Sequence, residues 1–249
     1  MSQRTFAIGD IHGDLDKVKR IVRGFGELDS DDTIVFLGDY VDRGPDSAGV
    51  VDFVRKLPSQ VPCKVVALRG NHEDAWLRVI DTGWLEFVMP RGNGCLEALR
   101  SFRGQPPPGE DELPDATELE ALFKGTFFPA DVVAWMRSLP YFYEDAHAIY
   151  VHAGLTKKDD RFQHPSEMEN KLALLWTRSA DFFKNYRGKL VVFGHTKTEQ
   201  LPPELSRYTP DDPTDLWAGP ATRGLDTGCG KGGFLTAFEL PAGRVHEAR

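Results

Sequence analysis

Five short segments collect the residue types that bind cations or move protons. In chain order they are GDIHG with Asp10 and His12, GDYVDRG with Asp39, Asp42 and Arg43, RGNHE with Arg69, Asn71, His72 and Glu73, HAG with His152, and GHT with His195. One Asp or His beside a glycine is commonly a turn-former, but five such groups in one chain point to a shared purpose. Asp, Asn and His offer oxygen and nitrogen donors, and no cysteine lies in any group. That set suits Mn²⁺, Fe or Zn²⁺ and disfavours Cu(I) and iron–sulfur chemistry. Asp10 and His12 alternate, so on extended chain both side chains reach toward one ion. The two carboxylate oxygens of Asp39 allow it to serve two ions at once.

Each group follows a run suited to a buried strand. Thr5–Ile8, Thr33–Leu37, Lys64–Leu68, Ile149–Val151 and Leu190–Phe193 are short and rich in apolar or β-branched residues, the pattern of strands covered on both faces. Between the first two, Leu15, Val18, Ile21, Val22 and Phe25 form a helical stripe with Asp14 as its N-cap. Val50, Val51 and Val54 repeat the stripe, from near Ser47 to the stop at Pro58. This β-α-β-α-β opening predicts a parallel sheet with right-handed crossovers. The carboxyl ends of such strands converge on one crevice and bring distant ligands together.

Residues 81–140 break that rhythm. Helical patterns, among them Pro129–Leu139, flank a polar loop from Gly104 to Asp115 that Pro106–Pro108 keep out of any core. They predict a mostly helical insertion that forms a rim over the site, within a single domain spanning 1–249. A further helical pattern covers Glu169–Trp176. An irregular stretch from Pro202 to Asp215 precedes two strands, Arg223–Asp226 and Gly233–Leu240.

Composition narrows the partners. The 249 residues carry a net charge of −8, which argues against long nucleic acid as a ligand, since that needs a broad basic face. Cys63, Cys95 and Cys229 are widely spaced and odd in number, as expected of packed, reduced thiols in a cytoplasmic protein. No apolar run approaches the ~18 residues of a membrane span. With a strand expected from Thr5, a chain whose true start is Met1 is expected to carry no leader, and the expected compartment is the cytoplasm.

Taken in order, GDIHG, GDYVDRG, RGNHE, HAG and GHT resemble the signature of the metallophosphoesterase superfamily. They are most similar to its phosphoprotein phosphatase branch, which holds Ser/Thr protein phosphatases, their bacterial relatives and symmetrical dinucleoside tetraphosphatases. The resemblance implies an α/β/β/α sandwich with the site at one edge and the two C-terminal strands in the second sheet. It implies two divalent ions, foremost Mn²⁺: one on Asp10, His12 and Asp39, the other on Asp39, Asn71, His152 and His195. A water bridging the ions would be the nucleophile, because metal binding lowers a water's pKa from ~15.7 to about 7. His72 resembles the general acid, with Asp42 holding its ring. Arg43 resembles the phosphate clamp and Arg178 stands in the place of a second, with Asn71 also near the phosphate.

Three departures refine the expectation. Lys197 occupies the place where many members carry a second histidine in G-H-x-H, which turns the reading away from nuclease and 5′-nucleotidase branches. The tyrosine-containing C-terminal loop of eukaryotic protein phosphatases is not recognisable, whereas Asp226-Thr227-Gly228 with Gly232-Gly233 resembles bacterial members. The 81–140 segment matches no known partner-binding element. The expected activity is therefore bacterial-type hydrolysis of phosphoserine and phosphothreonine in proteins, and of small aryl phosphates. The alternatives are a symmetrical bis(5′-nucleosyl)-tetraphosphatase and, outside enzymes, a silent binding module of the same fold. Intact Asp42 and Glu73 favour the phosphatase.

Overall fold

A computed structural model describes residues 3–205 and 216–249. The chain opens with β1 (Thr5–Ile8), α1 (Leu15–Gly24), β2 (Thr33–Phe36), α2 (Ser47–Lys56) and β3 (Lys64–Ala67). The Asp14 side chain caps α1 by accepting from Lys17 N at 3.1 Å, as its position ahead of the stripe predicts. Asp46, one residue before Ser47, caps α2 through Gly49 N. Then follow α3 (Asn71–Thr82), α4 (Leu85–Val88), α5 (Cys95–Phe102), α6 (Ala116–Lys124) and α7 (Ala130–Ser138). The expected loop ends where Asp115 and Glu118 exchange backbone and side-chain hydrogen bonds to start α6, a capping box.

The second half supplies β4 (Phe142–Glu144), β5 (Ile149–Val151) and a small ribbon of β6 (Lys157–Lys158) and β7 (Arg161–Phe162). After α8 (Ala173–Trp176) and α9 (Ala180–Asn185) come β8 (Val191–Phe193), β9 (Trp217–Ala218), β10 (Thr222–Gly224), β11 (Leu235–Leu240) and β12 (Arg244–Ala248). Two five-stranded sheets result, ordered β12-β11-β1-β2-β3 and β4-β5-β8-β10-β9. Strands β1, β2 and β3 run parallel, as do β5, β8 and β10.

Side chains alternate across each strand, and that alternation builds the layers. Phe6, Ile8, Ile34 and Phe36 face α1, α2 and the 81–140 helices. Their neighbours Ala7, Val35 and Leu37 pack with Tyr150 and Val192 of the other sheet. Ile149, Val151, Val191 and Phe193 turn outward onto α8 and α9. The architecture is α/β/β/α, as expected. All three cysteines are free and buried, and among the described residues no helix is long and apolar enough to cross a membrane.

Three expectations need correction. Leu235–Leu240 belongs to the first sheet, antiparallel to β1, and only Thr222–Gly224 joins the second. An uncovered β1 would leave a row of unpaired backbone groups beside the site, and β11 covers it, with Gly9 N donating to Thr236 O at 3.0 Å. The helical pattern of Glu169–Trp176 shortens to Ala173–Trp176. Asn170 Oδ1 accepts from Leu172 N at 3.1 Å, and such a local side-chain bond competes with the helix. The strand expected to reach Asp226 stops at Gly224. Of the irregular stretch Pro202–Asp215, residues 206–215 lie outside the described residues.

Candidate metal centre

The strand ends meet as parallel topology requires. Asp10 follows β1, Asp39 follows β2, Asn71 opens α3 after β3, His152 follows β5 and His195 follows β8. Asp10, His12, Asp39, Asn71, His152 and His195 are all buried. The loops that carry them are strained. Of the seven non-glycine residues with positive φ among the described residues, five are His12, Asp39, Asp42, Arg43 and His195. Such backbone costs roughly 1–3 kcal/mol per residue and persists only where the surroundings over-determine it.

Hydrogen bonds supply that determination. The carboxylate of Glu73 accepts four backbone N–H groups, from Asp39, Tyr40, Val41 and Gly70, at 2.9–3.3 Å. One side chain thereby pins two motif loops together, although burial and Asp39 push its carboxyl up to about 7. Asp10, on the first sheet, accepts from His195 N on the second at 3.0 and 3.1 Å. A Cβ at position 194 would stand 2.0 Å from Asp10 Oδ1, so only glycine allows that approach.

Tautomers follow from partners. His12 Nδ1 lies 3.0 Å from Val41 O, and His152 Nδ1 lies 2.9 Å from Leu37 O. A carbonyl only accepts, so Nδ1 is the donor in both rings. Burial lowers the pKa of both imidazoles, which leaves neutral rings with a lone pair at Nε2. The His152 lone pair faces an acceptor, Asp39 Oδ1 at 3.5 Å, whereas that of His12 accepts from Arg43 with Asp39 Oδ2 at 3.3 Å. Asn71 Oδ1 adds a third acceptor, 2.9 Å from His152 Nε2 and 2.7 Å from His195 Nδ1. Buried acceptors aimed at one another are costly without a cation between them, so these donors fit divalent metal ions. Ligand atoms of Asp10, Asp39 and His152, and those of His12, Asp39 and His72, lie within 4.8 Å of one another; the two sets share Asp39.

The same excess of negative charge appears in the carboxyls. Burial, with Asp226 and Asp39 nearby, holds Asp10 well above the usual range. Asp39 goes the other way, held low against its burial by the charges of His72 and Arg43. Asp226, two residues past β10, is buried and raised by burial. The sequence marks it as the end of a strand and the start of a glycine-flanked motif, and it obeys the rule that located the others, a polar group just beyond a parallel strand.

Beside these donors, His72 Nδ1 is 2.6 Å from Asp42 Oδ2, and Trp76 Nε1 donates to the same carboxylate at 2.9 and 3.0 Å. Burial opposes a charged His72, but Asp39 and Asp42 outweigh it and raise the ring's pKa. Arg43 reaches His72 Nε2 at 3.3 Å and also bonds His12 Nε2. Arg178 is exposed and close enough to His195 to help depress its pKa. Arg69 is otherwise engaged, donating to Tyr141 Oη and Arg137 O. Phe87 packs edge-on against His72 at 5.4 Å, and Trp84 stacks behind it.

An α/β/β/α sandwich that gathers oxygen and nitrogen donors at its strand ends has the architecture of a metal-dependent phosphoesterase. Residues 4–199 match the calcineurin-like phosphoesterase family, and the chain belongs to that family. It is 26% identical to the asymmetrical bis(5′-nucleosyl)-tetraphosphatase PrpE of Anoxybacillus flavithermus, over 94% of this chain and 89% of that protein. It is 40% identical to the serine/threonine-protein phosphatase PP1-1 of Saccharomyces cerevisiae, but over only 26% of this chain and 21% of that protein. The metallophosphoesterase of Sphaerobacter thermophilus shares the fold, with a TM-score of 0.54 at 19% identity, covering 99% of this chain and 88% of that one.

Proposed function

We propose that the chain, as one catalytic unit with 81–140 as its rim, hydrolyses phosphomonoesters, with phosphoserine and phosphothreonine in proteins as the leading substrates. The observation that carries this reading is the 2.6 Å contact between His72 and Asp42. An alkoxide leaves phosphorus poorly unless it is protonated, and a raised imidazole held by a carboxylate is built for that transfer. Asp10, His12 and Asp39 would hold one divalent ion and Asp39, Asn71, His152 and His195 a second, with Mn²⁺ preferred. When bound, such ions supply an activated water and neutralise phosphate charge. Arg43 and Arg178 orient the phosphoryl oxygens through planar N–H forks, with Asn71 beside them. His72 Nε2 delivers the proton to the leaving oxygen while Asp42 fixes the ring's tautomer. Burial of Asp42 and Trp76 keeps competing water from that pair.

A second reading, dinucleoside tetraphosphate hydrolysis, is favoured by the nearly end-to-end similarity to the Anoxybacillus protein. Its leaving group is an oligophosphate that needs no proton, so it leaves the His72–Asp42 pair without a task. One panel separates the two. With Mn²⁺ at fixed salt, kcat/KM on a phosphoserine peptide is expected to exceed that on diadenosine tetraphosphate. A tenfold preference for the dinucleotide overturns the first reading.

A further inference from the structure

Next to the metal-type donors lies a cavity of about 300 Å³ that the catalytic roles above leave unused. Its walls are the segment after His195 and the glycine-rich run Gly228–Gly233, and two of its lining residues are Lys197 and Lys231. The run is pressed against the site. A side chain at Gly230 would begin 2.5 Å from His12 O and 3.4 Å from Arg43 Cβ. The Lys197 ammonium lies 3.5 Å from where a side chain at Gly228 would begin. Lys231 N donates to Gly228 O at 3.1 Å, but its ammonium has no hydrogen bond or ion pair with any described residue, and its pKa is lowered by burial and by the charges of Arg43 and Lys197. Three cations are thus gathered at one side of the centre. Two acids share the cavity. Asp226 is buried and accepts from Gly228 N at 3.0 Å. Glu199 meets Lys197 at 3.6 Å but stays two-thirds in solvent, where an ion pair is worth little.

We propose that Lys197 and Lys231 form a subsite for a second phosphoryl group on the same substrate, next to the phosphoryl that Arg43 orients. Ammonium groups bind phosphate as point charges, and a glycine-walled cavity admits a bulky anion close to backbone. The subsite rests on the phosphoesterase reading for its neighbour but not for its own binding. The second phosphoryl can come from an oligophosphate chain or from a neighbouring phosphorylated side chain.

The variants are Lys197→Gln, Lys231→Gln and the double substitution. Hydrolysis of p-nitrophenyl phosphate, which carries one phosphoryl, is the baseline. Against it are measured competitive inhibition by inorganic tripolyphosphate and kcat/KM on singly and doubly phosphorylated peptides. Calorimetric titration of tripolyphosphate into chelator-treated protein gives a readout independent of turnover. Each substitution is expected to weaken the two-phosphoryl ligand about tenfold more than the one-phosphoryl ligand, the loss of one charge-assisted contact. A selective loss in the tripolyphosphate arm assigns the chain source, and one in the doubly phosphorylated peptide assigns the side-chain source. Equal losses on all ligands, or unchanged tripolyphosphate binding, overturn the subsite. If p-nitrophenyl phosphate is not hydrolysed but calorimetry still loses affinity, the subsite stands and the phosphomonoester reading fails.

Discussion

Asp42→Asn tests the acid assignment most directly. The left-handed backbone at this position, φ 72°, is one that asparagine accepts readily, and its amide oxygen can keep the Trp76 bond. What disappears is the negative charge 2.6 Å from His72 Nδ1. A hydrogen bond to a charged partner is worth about 1.5–3 kcal/mol and a neutral one roughly half that. The loss is therefore about 1–1.5 kcal/mol, or roughly one unit in the pKa of His72. The sign is fixed by the direction of the shift. Asp39 and Asp42 raise the ring above its ordinary value despite burial, so removing one of them lowers it. The reaction needs the protonated ring, so the alkaline limb of the pH–rate profile moves to lower pH by about one unit. Above that limb the rate on a phosphoserine peptide falls about tenfold. p-Nitrophenyl phosphate, whose leaving group needs little protonation, falls less. Steady-state kinetics from pH 5 to 9, with metal content measured on each sample, is the assay. An unmoved alkaline limb, or equal loss on both substrates, refutes the argument.

Chelation is expected to abolish activity and Mn²⁺ to restore it, and Asp39→Asn should lose more bound metal than any other single ligand change, as read by elemental analysis. His72→Asn should keep its metal while alkyl phosphate turnover drops by roughly 10²–10⁴, measured beside p-nitrophenyl phosphate. Glu73→Gln replaces one acceptor oxygen by an amide that faces backbone N–H groups. It should destabilise the fold by about 1–3 kcal/mol in urea unfolding; an unchanged midpoint would mean the four bonds contribute nothing net.

The donors were legible because parallel strands announce themselves as short apolar runs, and each ligand sits within a few residues of a run's end. Distance in sequence did not matter for Asp10, Asn71 or His195, since topology gathers such ends whatever lies between. Partner strands were less legible. Leu235–Leu240 pairs with β1 across most of the chain, and its own residues carry no mark of which sheet they join. Glu73 was visible as a letter of RGNHE, but its use as an acceptor for four amides depends on two loops meeting, which no local pattern encodes. Arg178 was read as a second clamp, and Arg69 stood only as a letter of RGNHE. A tyrosine ring and a carbonyl claim one of them and leave the other beside His195.

The placement of β11 has a consequence for synthesis. Every donor from Asp10 to His195 is synthesised before Leu235, and the strand that closes β1 comes only afterwards. Gly9, the residue before Asp10, completes its backbone bond with Thr236. A nascent or interrupted chain therefore owns all the ligands while the strand carrying the first of them still has a bare edge. Such edges template pairing with other chains. The strand that seals this edge thus also completes the seat of Asp10, and a chain lacking β11 has both faults together.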